Sequence, residues 1–371
     1  MSLDIHTPNF VPHTPRVRVL GGGSAVSGAH VPSAVASWSV LLAQAIESAG
    51  VDAHAVFAEA GLDLDEAKDP DTRFPVERMT CAWELAVARC EDPCLPLRLT
   101  QYFKPQNISA IGIAMSLSTT LMDALHRCVQ YARIATEGAV LSLHEQGETV
   151  VLRVDVPIAL RPIASGYSIE AFMASLIELF RQMAGPGFAP LNVEFAFPRR
   201  QGCLEFERYF GCPVHFTATA TQLTFGRAQL QVTRTLAIDS LARVLDAWMA
   251  EYLVQLDLQS LSGQLRIFLI EQMAHGDISL ADASRHLCIS ERSLQRKLAE
   301  EAQTFAHIKD DCRRHLAEKL VHEHRLSLAE IAFVLGFADQ SAFTRCFKRW
   351  TGTSPRRFVP RNVSVQQFQP V

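Results

Sequence analysis

Two short segments near residues 290 and 340 carry side chains of the types that read the edges of nucleotide bases. The first segment holds Arg292, Gln295 and Arg296, and the second holds Gln340 and Arg345. Arginine can donate two hydrogen bonds to guanine, and the glutamine amide can pair with two atoms of adenine. The spacing of the first three residues would place them on one face of a helix. Both segments are therefore candidates for base-contacting helices.

Each segment also has an apolar face that would attach such a helix to a core. Leu294 and Leu298 are four residues apart, as are Phe343 and Phe347, and residues at this spacing share a helix face. The remaining polar positions suit contacts with base edges or with phosphate oxygens. Those assigned to bases are Ser341 and Thr344, and those assigned to phosphates are Lys297, Lys348 and Arg349.

A repeated segment precedes both candidate helices. Ser279–Ser290 recurs 48 residues later as Ser327–Ala338, and each copy opens with a serine followed three residues on by an acid. This arrangement is typical of a capped helix start. Each copy then reaches a turn, at Gly336 in the second copy and at Cys288 in the first. Glycine tolerates the positive φ angle of a sharp turn, so the repeat predicts two helix-turn-helix units whose second helices enter the major groove of DNA.

The same residues carry a family resemblance. Residues 264–360 resemble the double helix-turn-helix domain of the AraC/XylS transcription regulators. The similarity is long and gapless in the second repeat. It rests on Ile331-Ala332, Gly336-Phe337, the Ser-x-Phe-x-Arg-x-Phe-Lys pattern from Ser341 to Lys348, and the Gly-x-Ser-Pro pattern from Gly352 to Pro355.

The resemblance implies a seven-helix domain with one central helix, at about Phe305–Glu323. In such a domain the central helix holds the two base-contacting helices, here called the reading helices, on successive faces of the major groove. The residues that fall at the family's base-contacting positions are Arg292, Gln295, Arg296, Gln340 and Arg345.

Residues 38–230 resemble the sensor of the ornithine-utilisation-type branch of this family, which is not the jelly-roll sugar-binding domain. The resemblance implies that a bound small molecule switches transcription, usually as activation and often in dimers. It rests on Gly61-Leu62 with Pro75 following, the Leu121–Tyr131 pattern, Tyr209–Phe216, and Leu223 with Phe225.

Hydrophobic periodicity in this region predicts an α+β fold with an antiparallel sheet and helices. The repeat described above predicts that an all-α double helix-turn-helix domain follows it. Ala139–His144 and Thr149–Val156 flank a Gln146-Gly147 turn and predict a hairpin. Val214–Phe216 and Gln222–Phe225 predict a second hairpin. The predicted domain plan is a flexible N-terminal arm at 1–37, a sensor domain at 38–235, a connecting helix and linker at 236–263, the DNA-binding domain at 264–360, and a tail at 361–371.

The connecting segment has its own periodicity. Apolar residues recur there at steps of three and four, which predicts one long helix over Ile238–Leu256 followed by a linker at Leu258–Gly263. Such a helix either packs on its own domain or forms a dimer seam, and the sequence leaves both open. The residues of the predicted seam are Ile238, Leu241, Leu245, Trp248 and Tyr252.

Three polar residues of the sensor domain are candidate anchors for an anionic effector: Arg98, Tyr102 and Tyr131. The dense apolar residues around Phe172 and Phe195 predict core rather than pocket lining. No residue pattern identifies the effector itself.

Enzymatic and metal-binding functions are disfavoured. Ser142, His144 and Asp155 lie on neighbouring predicted strands, but no nucleophile elbow or paired-acid motif accompanies them. Cys203, Cys212 and His215 match no common zinc spacing. We therefore expect no catalytic site, no metal and no cofactor.

The net charge of −4 averages two opposite halves. Residues 1–261 contain 19 Lys and Arg against 27 Asp and Glu, whereas residues 262–371 contain 16 against 12. The basic half is the one predicted to approach phosphate. Nine cysteines without a CxxC pair predict a reduced, cytoplasmic chain, and no apolar run is long enough to predict a membrane span.

Together these features predict a transcription regulator that binds double-stranded DNA and is controlled by a small-molecule effector. We expect it to be an activator that works as a homodimer, with RNA polymerase as a further partner. The alternative is a constitutive DNA-binding protein whose N-terminal domain only oligomerises.

Overall fold

The computed structural model describes residues 18–19, 31–69, 71–157, 160–161, 166–200, 202–234, 237–258, 260–273, 278–301, 303–323, 325–351 and 353–358. Most of the predicted arm and all of the predicted tail lie outside these residues. Within them, no helix is both long enough and apolar enough to cross a lipid bilayer.

The folded N-terminal domain begins earlier than predicted. Strand β1 (Arg18–Val19) pairs in parallel with β3 (Thr72–Pro75), and β2 (Ser33–Val35) pairs with β3 antiparallel. The fully buried guanidinium of Arg73 donates hydrogen bonds to the Ser33 hydroxyl at 2.8 Å and to the Ser33 carbonyl at 3.0 Å. The assignment of residues 33–37 to a flexible arm is therefore wrong. Strand β2 is held in place by contacts with segments distant in the sequence, which local composition does not reveal.

Helices surround the main sheet of this domain. They bury their apolar faces in one continuous core, as expected for amphipathic segments. The helices are α1 (Ser37–Ser48), α2 (Ala53–Glu59), α3 (Val76–Cys90), α4 (Leu95–Arg98), α5 (Ser109–Ser116), α6 (Leu121–Ala135) and α7 (Tyr167–Ala184), with 3-10 turns at Leu64–Lys68, Leu99–Tyr102 and Pro105–Ile108.

The main sheet has five strands in the order β4-β5-β8-β6-β7, which confirms the α+β class. The predicted first hairpin is present, but the second is wrong: β7 pairs in parallel with β6, and β8 pairs antiparallel with β5 and β6. Strand β6 lies between β7 and β8, because Val193 is in register with both Val214 and Leu223. The strands are β4 (Val140–Gln146), β5 (Thr149–Asp155), β6 (Asn192–Glu194), β7 (Val214–His215) and β8 (Thr221–Gly226), with short helices α8 (Phe206–Phe210) and α9 (Arg227–Leu230).

Two of the nine cysteines form a disulfide, contrary to the expected fully reduced chain. Cys94 and Cys203 are 109 residues apart in sequence, but their Cα atoms lie 5.3 Å apart. Sequence spacing gave no sign of this pair, since it depends on the packing of α4 against the loop before α8. Cys203 is therefore not a free thiolate for a metal, and the described residues contain no group of His, Cys, Asp and Glu suited to holding a metal ion.

The connecting helix α10 (Asp239–Leu258) packs on α5 and α6 of its own domain. Its buried face comprises Ala242, Met249, Tyr252 and Leu256. Ile238 and Leu241, the first two residues of the predicted seam, are 51% and 46% exposed rather than buried against this domain. The helix therefore uses its heptad spacing mainly to attach to the domain that precedes it.

The predicted linker is shorter than expected. Helix α11 begins at Leu261, and the hydroxyl of Ser260 caps it by accepting the N–H of Gly263 at 3.0 Å. The DNA-binding domain therefore starts at 261 rather than 264. Its helices are α11 (Leu261–Gln272), α12 (Leu280–His286), α13 (Glu291–Glu300), α14 (Phe305–Glu323), α15 (Leu328–Val334) and α16 (Gln340–Thr351), with a 3-10 turn at Pro355–Arg357.

The two helix-turn-helix turns have the predicted backbone conformation. Both capping boxes form, at Ser279 with Asp282 and at Ser327 with Glu330. The turn residue has φ 54° at Cys288 and φ 71° at Gly336. A side chain is strained at such an angle, so the first unit carries a cost that the second avoids.

We expect Cys288→Gly to raise the unfolding free energy by about 0.5–1 kcal/mol, because relief of the strained φ outweighs the added entropy of the unfolded chain. Urea unfolding of the reduced protein measures this change. Cys346→Gly is the matched control, since it places glycine inside α16 and should lower stability by about 0.3 kcal/mol. A loss of stability in Cys288→Gly would contradict the argument.

Candidate nucleic-acid interface and apolar cavity

The first reading helix, α13, presents the predicted polar face to solvent. Ser290 caps the helix by accepting the N–H of Ser293 at 3.2 Å. Arg292, Gln295 and Arg296 are exposed. The opposite face, formed by Leu294 and Leu298, is fully buried. Lys297, assigned to phosphate, is half-buried. The local pattern of the sequence therefore identified both faces of this helix.

The second reading helix, α16, has the same organisation. Asp339 caps it by accepting the N–H of Ala342 at 2.7 Å. Phe343 and Phe347 are fully buried. The exposed residues are Gln340, Ser341, Arg345, Lys348 and Arg349, while half-buried Thr344 donates its hydroxyl to the Gln340 carbonyl at 2.8 Å.

Some cations of these helices already have partners within the chain. Arg296 pairs with Glu300, and Arg349 lies 3.5 Å from Asp310 of α14. Among the described residues, Arg292 and Arg345 form no ion pair, so both guanidinium groups can be offered to DNA without breaking one. Arg345 is thus the clearest candidate for base contact on α16, whereas Arg349 also helps to attach this helix to α14.

Helix α14 joins the two units, as the family resemblance implied, and spans the predicted residues Phe305–Glu323. Its first half contributes Ile308 to the core of the first unit, and its second half contributes Val321 to the core of the second. Lys309 donates its ammonium to the carbonyl of Ile278, and Arg313 donates to the Leu335 carbonyl at 3.1 Å. One rigid helix therefore fixes the orientation of both reading helices.

A cavity of about 140 Å³ lies in the N-terminal domain between the helices and the β4–β5 hairpin. Its walls are almost wholly apolar, and the described residues that line it include no Asp, Glu, Lys, Arg or His. Burial raises the pKa of the Cys128 thiol to about 12, so that side chain also stays neutral. The lining residues are Ala34, Trp38, Val76, Met79, Thr80, Trp83, Ile108, Ile111, Met115, Cys128, Ala132, Ala135, Thr136, Gly138, Ala139, Leu141, Val154, Val156, Leu160, Ser168, Ile169 and Phe172.

The three predicted effector anchors do not line this cavity. Arg98 is exposed and pairs with Asp92 at 3.1 Å. Tyr102 is half-buried against the core. Tyr131 is buried and donates its hydroxyl to the Asp246 carbonyl of α10 at 3.1 Å. These residues are not brought together, whereas Phe172, expected to be core, lines the cavity.

Helix α6 connects the cavity to α10. Arg127 donates a bidentate pair to Asp246, with Nε–Oδ1 at 3.0 Å and Nη2–Oδ2 at 2.9 Å. Burial alone would lower the pKa of Arg127, but the carboxylate of Asp246 holds it above its ordinary value. One turn and a half further on, Arg133 pairs with Asp257 at 2.6 Å. No sequence signal marks these pairs, because the partners are more than 100 residues apart.

The residue that follows the first reading helix is hydrogen-bonded to the start of α11. The buried carboxylate of Glu301, directly after α13, accepts the N–H groups of Leu261 and Ser262, both at 2.8 Å. These N–H groups belong to the first turn of a helix, where a carboxylate is stabilising. The junction between α10 and α11 thus contacts α13 directly.

The sequence matches two family models. The arabinose-binding domain of AraC transcription regulators, N-terminal, matches residues 50–233, and a helix-turn-helix domain matches residues 283–361. The Ornithine utilization regulator of Pseudomonas aeruginosa is 28% identical over 308 residues, which cover 82% of this chain and 90% of that protein. The transcriptional regulator VqsM of the same organism is 20% identical over 269 residues, covering 71% of this chain and 82% of that protein.

Among solved structures, the transcriptional regulator CdpR from Pseudomonas aeruginosa matches 75% of this chain and 90% of its own, at 21% identity and a TM-score of 0.40. The relatives in sequence are transcription regulators rather than enzymes. The chain belongs to the AraC family of DNA-binding transcription regulators, with an arabinose-binding-type N-terminal domain and a double helix-turn-helix domain.

Proposed function

We propose that this regulator binds a specific DNA sequence through both reading helices and that a small molecule in the N-terminal cavity controls this binding. The observation that carries the proposal is the placement of α6, which lines the cavity and also holds α10 through Arg127 and Arg133. Regulation by an effector requires a coupling free energy between the ligand site and the DNA-binding domain. Helix α6 can supply it, because it contacts both the cavity and the connecting helix.

Sequence reading is assigned to the two exposed polar faces. Arg292, Gln295 and Arg296 on α13 would contact one block of bases, and Gln340 and Arg345 on α16 would contact a second block. Ser341 and Thr344 border the second face, whereas Lys297, Lys348 and Arg349 are proposed phosphate contacts. Because α14 holds both helices, the two blocks should have a fixed spacing of about one helical turn of DNA.

Arg345→Ala is expected to weaken binding to the preferred site by about 1–3 kcal/mol and to relax sequence preference only in the α16 block. Fluorescence anisotropy at constant salt, with the preferred site and with single base-pair substitutions, measures both effects. Arg243→Ala on α10 is the matched control, since this exposed arginine lies outside the DNA-binding domain. Equal weakening on every DNA sequence would contradict base contact by Arg345.

The conformational change caused by the effector would reach the DNA-binding domain through a short series of contacts. A ligand that displaces α6 would shift the Arg127–Asp246 and Arg133–Asp257 pairs and so move α10. Because α11 follows α10 after only two residues, its first turn would shift relative to the carboxylate of Glu301. Glu301 adjoins α13, so the position or order of the first reading helix would change.

We further propose that the regulator is a cytoplasmic homodimer that activates transcription and contacts RNA polymerase. Three apolar residues at the start of α10, Ile238, Leu241 and Val244, are exposed and support pairing with a second copy. The DNA-binding half has a net charge of only +4, which favours a second protomer or polymerase as a source of additional affinity.

The same exposed residues favour the alternative, in which the N-terminal domain only oligomerises. The two are separated by a ligand screen on the full chain. A true effector raises the melting temperature by mass action and changes DNA affinity, whereas an oligomerisation domain shows neither effect.

A further inference from the structure

The cavity beside α6 is small enough to restrict its ligand. Its volume of about 140 Å³ is close to that of an engineered apolar cavity of about 150 Å³ that holds benzene. Trp83 and Met115 of its walls are almost fully buried, so little space can be gained there. Ser168 is exposed and marks where the cavity reaches the surface. The size fits one aromatic ring or an aliphatic group of similar volume.

The walls also restrict the ligand's charge. The nearest charged residue of α7 is Glu170, which helical geometry places on the side opposite Ser168 and Phe172, where it pairs with Arg200. A charged group held inside the cavity would therefore lose its hydration without meeting an opposite charge, which strongly disfavours binding.

The two threonines that line the cavity offer little hydrogen-bonding capacity. The hydroxyl of Thr80 already donates to the Val76 carbonyl at 3.0 Å. The hydroxyl oxygen of Thr136 accepts the N–H of Gly138 at 2.9 Å, which leaves its hydrogen for a ligand. One acceptor on the ligand can thus be satisfied at Thr136.

We propose that the effector is a compact, uncharged molecule built on about one ring or an equivalent aliphatic group, with a single hydrogen-bonding oxygen directed to Thr136. This inference rests on the proposed function, because it takes the cavity ligand to be the effector. Ornithine, which the name of one relative mentions, carries three charged groups and is expected not to bind this cavity.

A series of ligands with one ring and different charges tests the proposal on the full-length chain. Benzyl alcohol is neutral, benzoate is an anion and benzylammonium is a cation. We expect calorimetry and thermal-shift measurements to show binding of benzyl alcohol, with benzoate, benzylammonium and ornithine at least about 100-fold weaker. Comparable binding of any charged compound, or no binding of benzyl alcohol, would overturn the proposal.

Two substitutions place the ligand in the cavity. Ala132→Leu fills space in the wall and should weaken benzyl alcohol binding by at least about 10-fold, whereas Ala247→Leu on the exposed side of α10 should leave it unchanged. Thr136→Val removes the donor and should weaken benzyl alcohol several-fold but not toluene. If Ala132→Leu fails to fold, the comparison of benzyl alcohol with toluene in Thr136→Val still tests the proposal. Unchanged selectivity between benzyl alcohol and toluene would exclude Thr136 as the partner of the ligand's oxygen and so overturn the proposal.

A DNA-binding readout separates this inference from the proposed function. If benzyl alcohol binds with the expected charge selectivity but leaves DNA affinity unchanged, the ligand class stands and effector control fails. If a charged compound changes DNA affinity instead, effector control stands and the ligand class is wrong.

Discussion

A chain carrying Phe343→Ala is expected to lose about 3–5 kcal/mol of unfolding free energy in its second helix-turn-helix unit. Phe343 is fully buried, and its ring lies 5.6 Å from those of both Phe337 and Phe347. Removal of the ring leaves a void that so small a core cannot fill. The first unit has a separate core, so hydrogen exchange should show lost protection in α15 and α16 and retained protection in α13.

Phe333→Ala is the matched control for this variant. Phe333 belongs to α15 of the same unit but is 82% exposed, so its removal should change stability by less than about 0.5 kcal/mol. Phe343→Ala should also retain only the base preference contributed by α13. Equal losses in the two variants, or cooperative unfolding of the whole chain, would contradict the two-core description.

Arg127→Ala is expected to lower the stability of the contact between α6 and α10 by about 2–3 kcal/mol, because it leaves Asp246 without its bidentate partner in a largely buried site. The side chains of Arg127 and Asp246 are 11% and 24% exposed. We propose that this pair is part of the route from the cavity to the DNA-binding domain. The variant should therefore bind the cavity ligand normally while the ligand no longer changes its DNA affinity.

Arg153→Ala offers a matched comparison. Arg153 also forms a bidentate pair with an aspartate, Asp155, but both side chains are more than 40% exposed, so the expected loss is below about 1 kcal/mol. A double-mutant cycle of Arg127→Ala with Asp246→Ala would isolate the pair energy. Retained ligand control in Arg127→Ala would remove this pair from the proposed route.

The DNA-binding half could be predicted almost completely from the sequence. Its helices are fixed by local signals, such as the serine caps, the turn at Gly336 and the four-residue spacing of Phe343 and Phe347. The central helix, implied by family resemblance, spans the expected residues. The first turn of α11 was assigned to the linker, because the Ser260 cap beside α10 reads as a polar linker when the contacts of Leu261 and Ser262 with Glu301 are unknown.

The N-terminal half was predicted less well because long-range contacts determine it. The order of β6, β7 and β8 depends on pairing between segments that local alternation cannot assign, and the Cys94–Cys203 pair depends on the folded path of the chain. The cavity is lined by residues of α1, α3, α5, α6 and α7 and of the strands β2, β4 and β5. Each of these segments has the periodicity of an ordinary core helix or strand, so sequence pattern alone could not distinguish lining from core.

The distribution of charge fits the proposed roles of the N-terminal and C-terminal halves. The acidic N-terminal half has no reason to approach phosphate, whereas the basic C-terminal half presents Arg292 and Arg345 on two exposed faces. Because the basic excess is small, non-specific affinity should be weak and specific contacts should dominate recognition.

Selection of binding sites from random-sequence DNA by the full-length chain, followed by the same selection with Arg296→Ala and Arg345→Ala, tests whether α13 and α16 each read bases. We expect a motif of two blocks about one helical turn apart, with sequence preference weakened in one block in each variant and retained in the other. Failure to enrich any motif, or the same motif in all three proteins, would contradict sequence reading by α13 and α16.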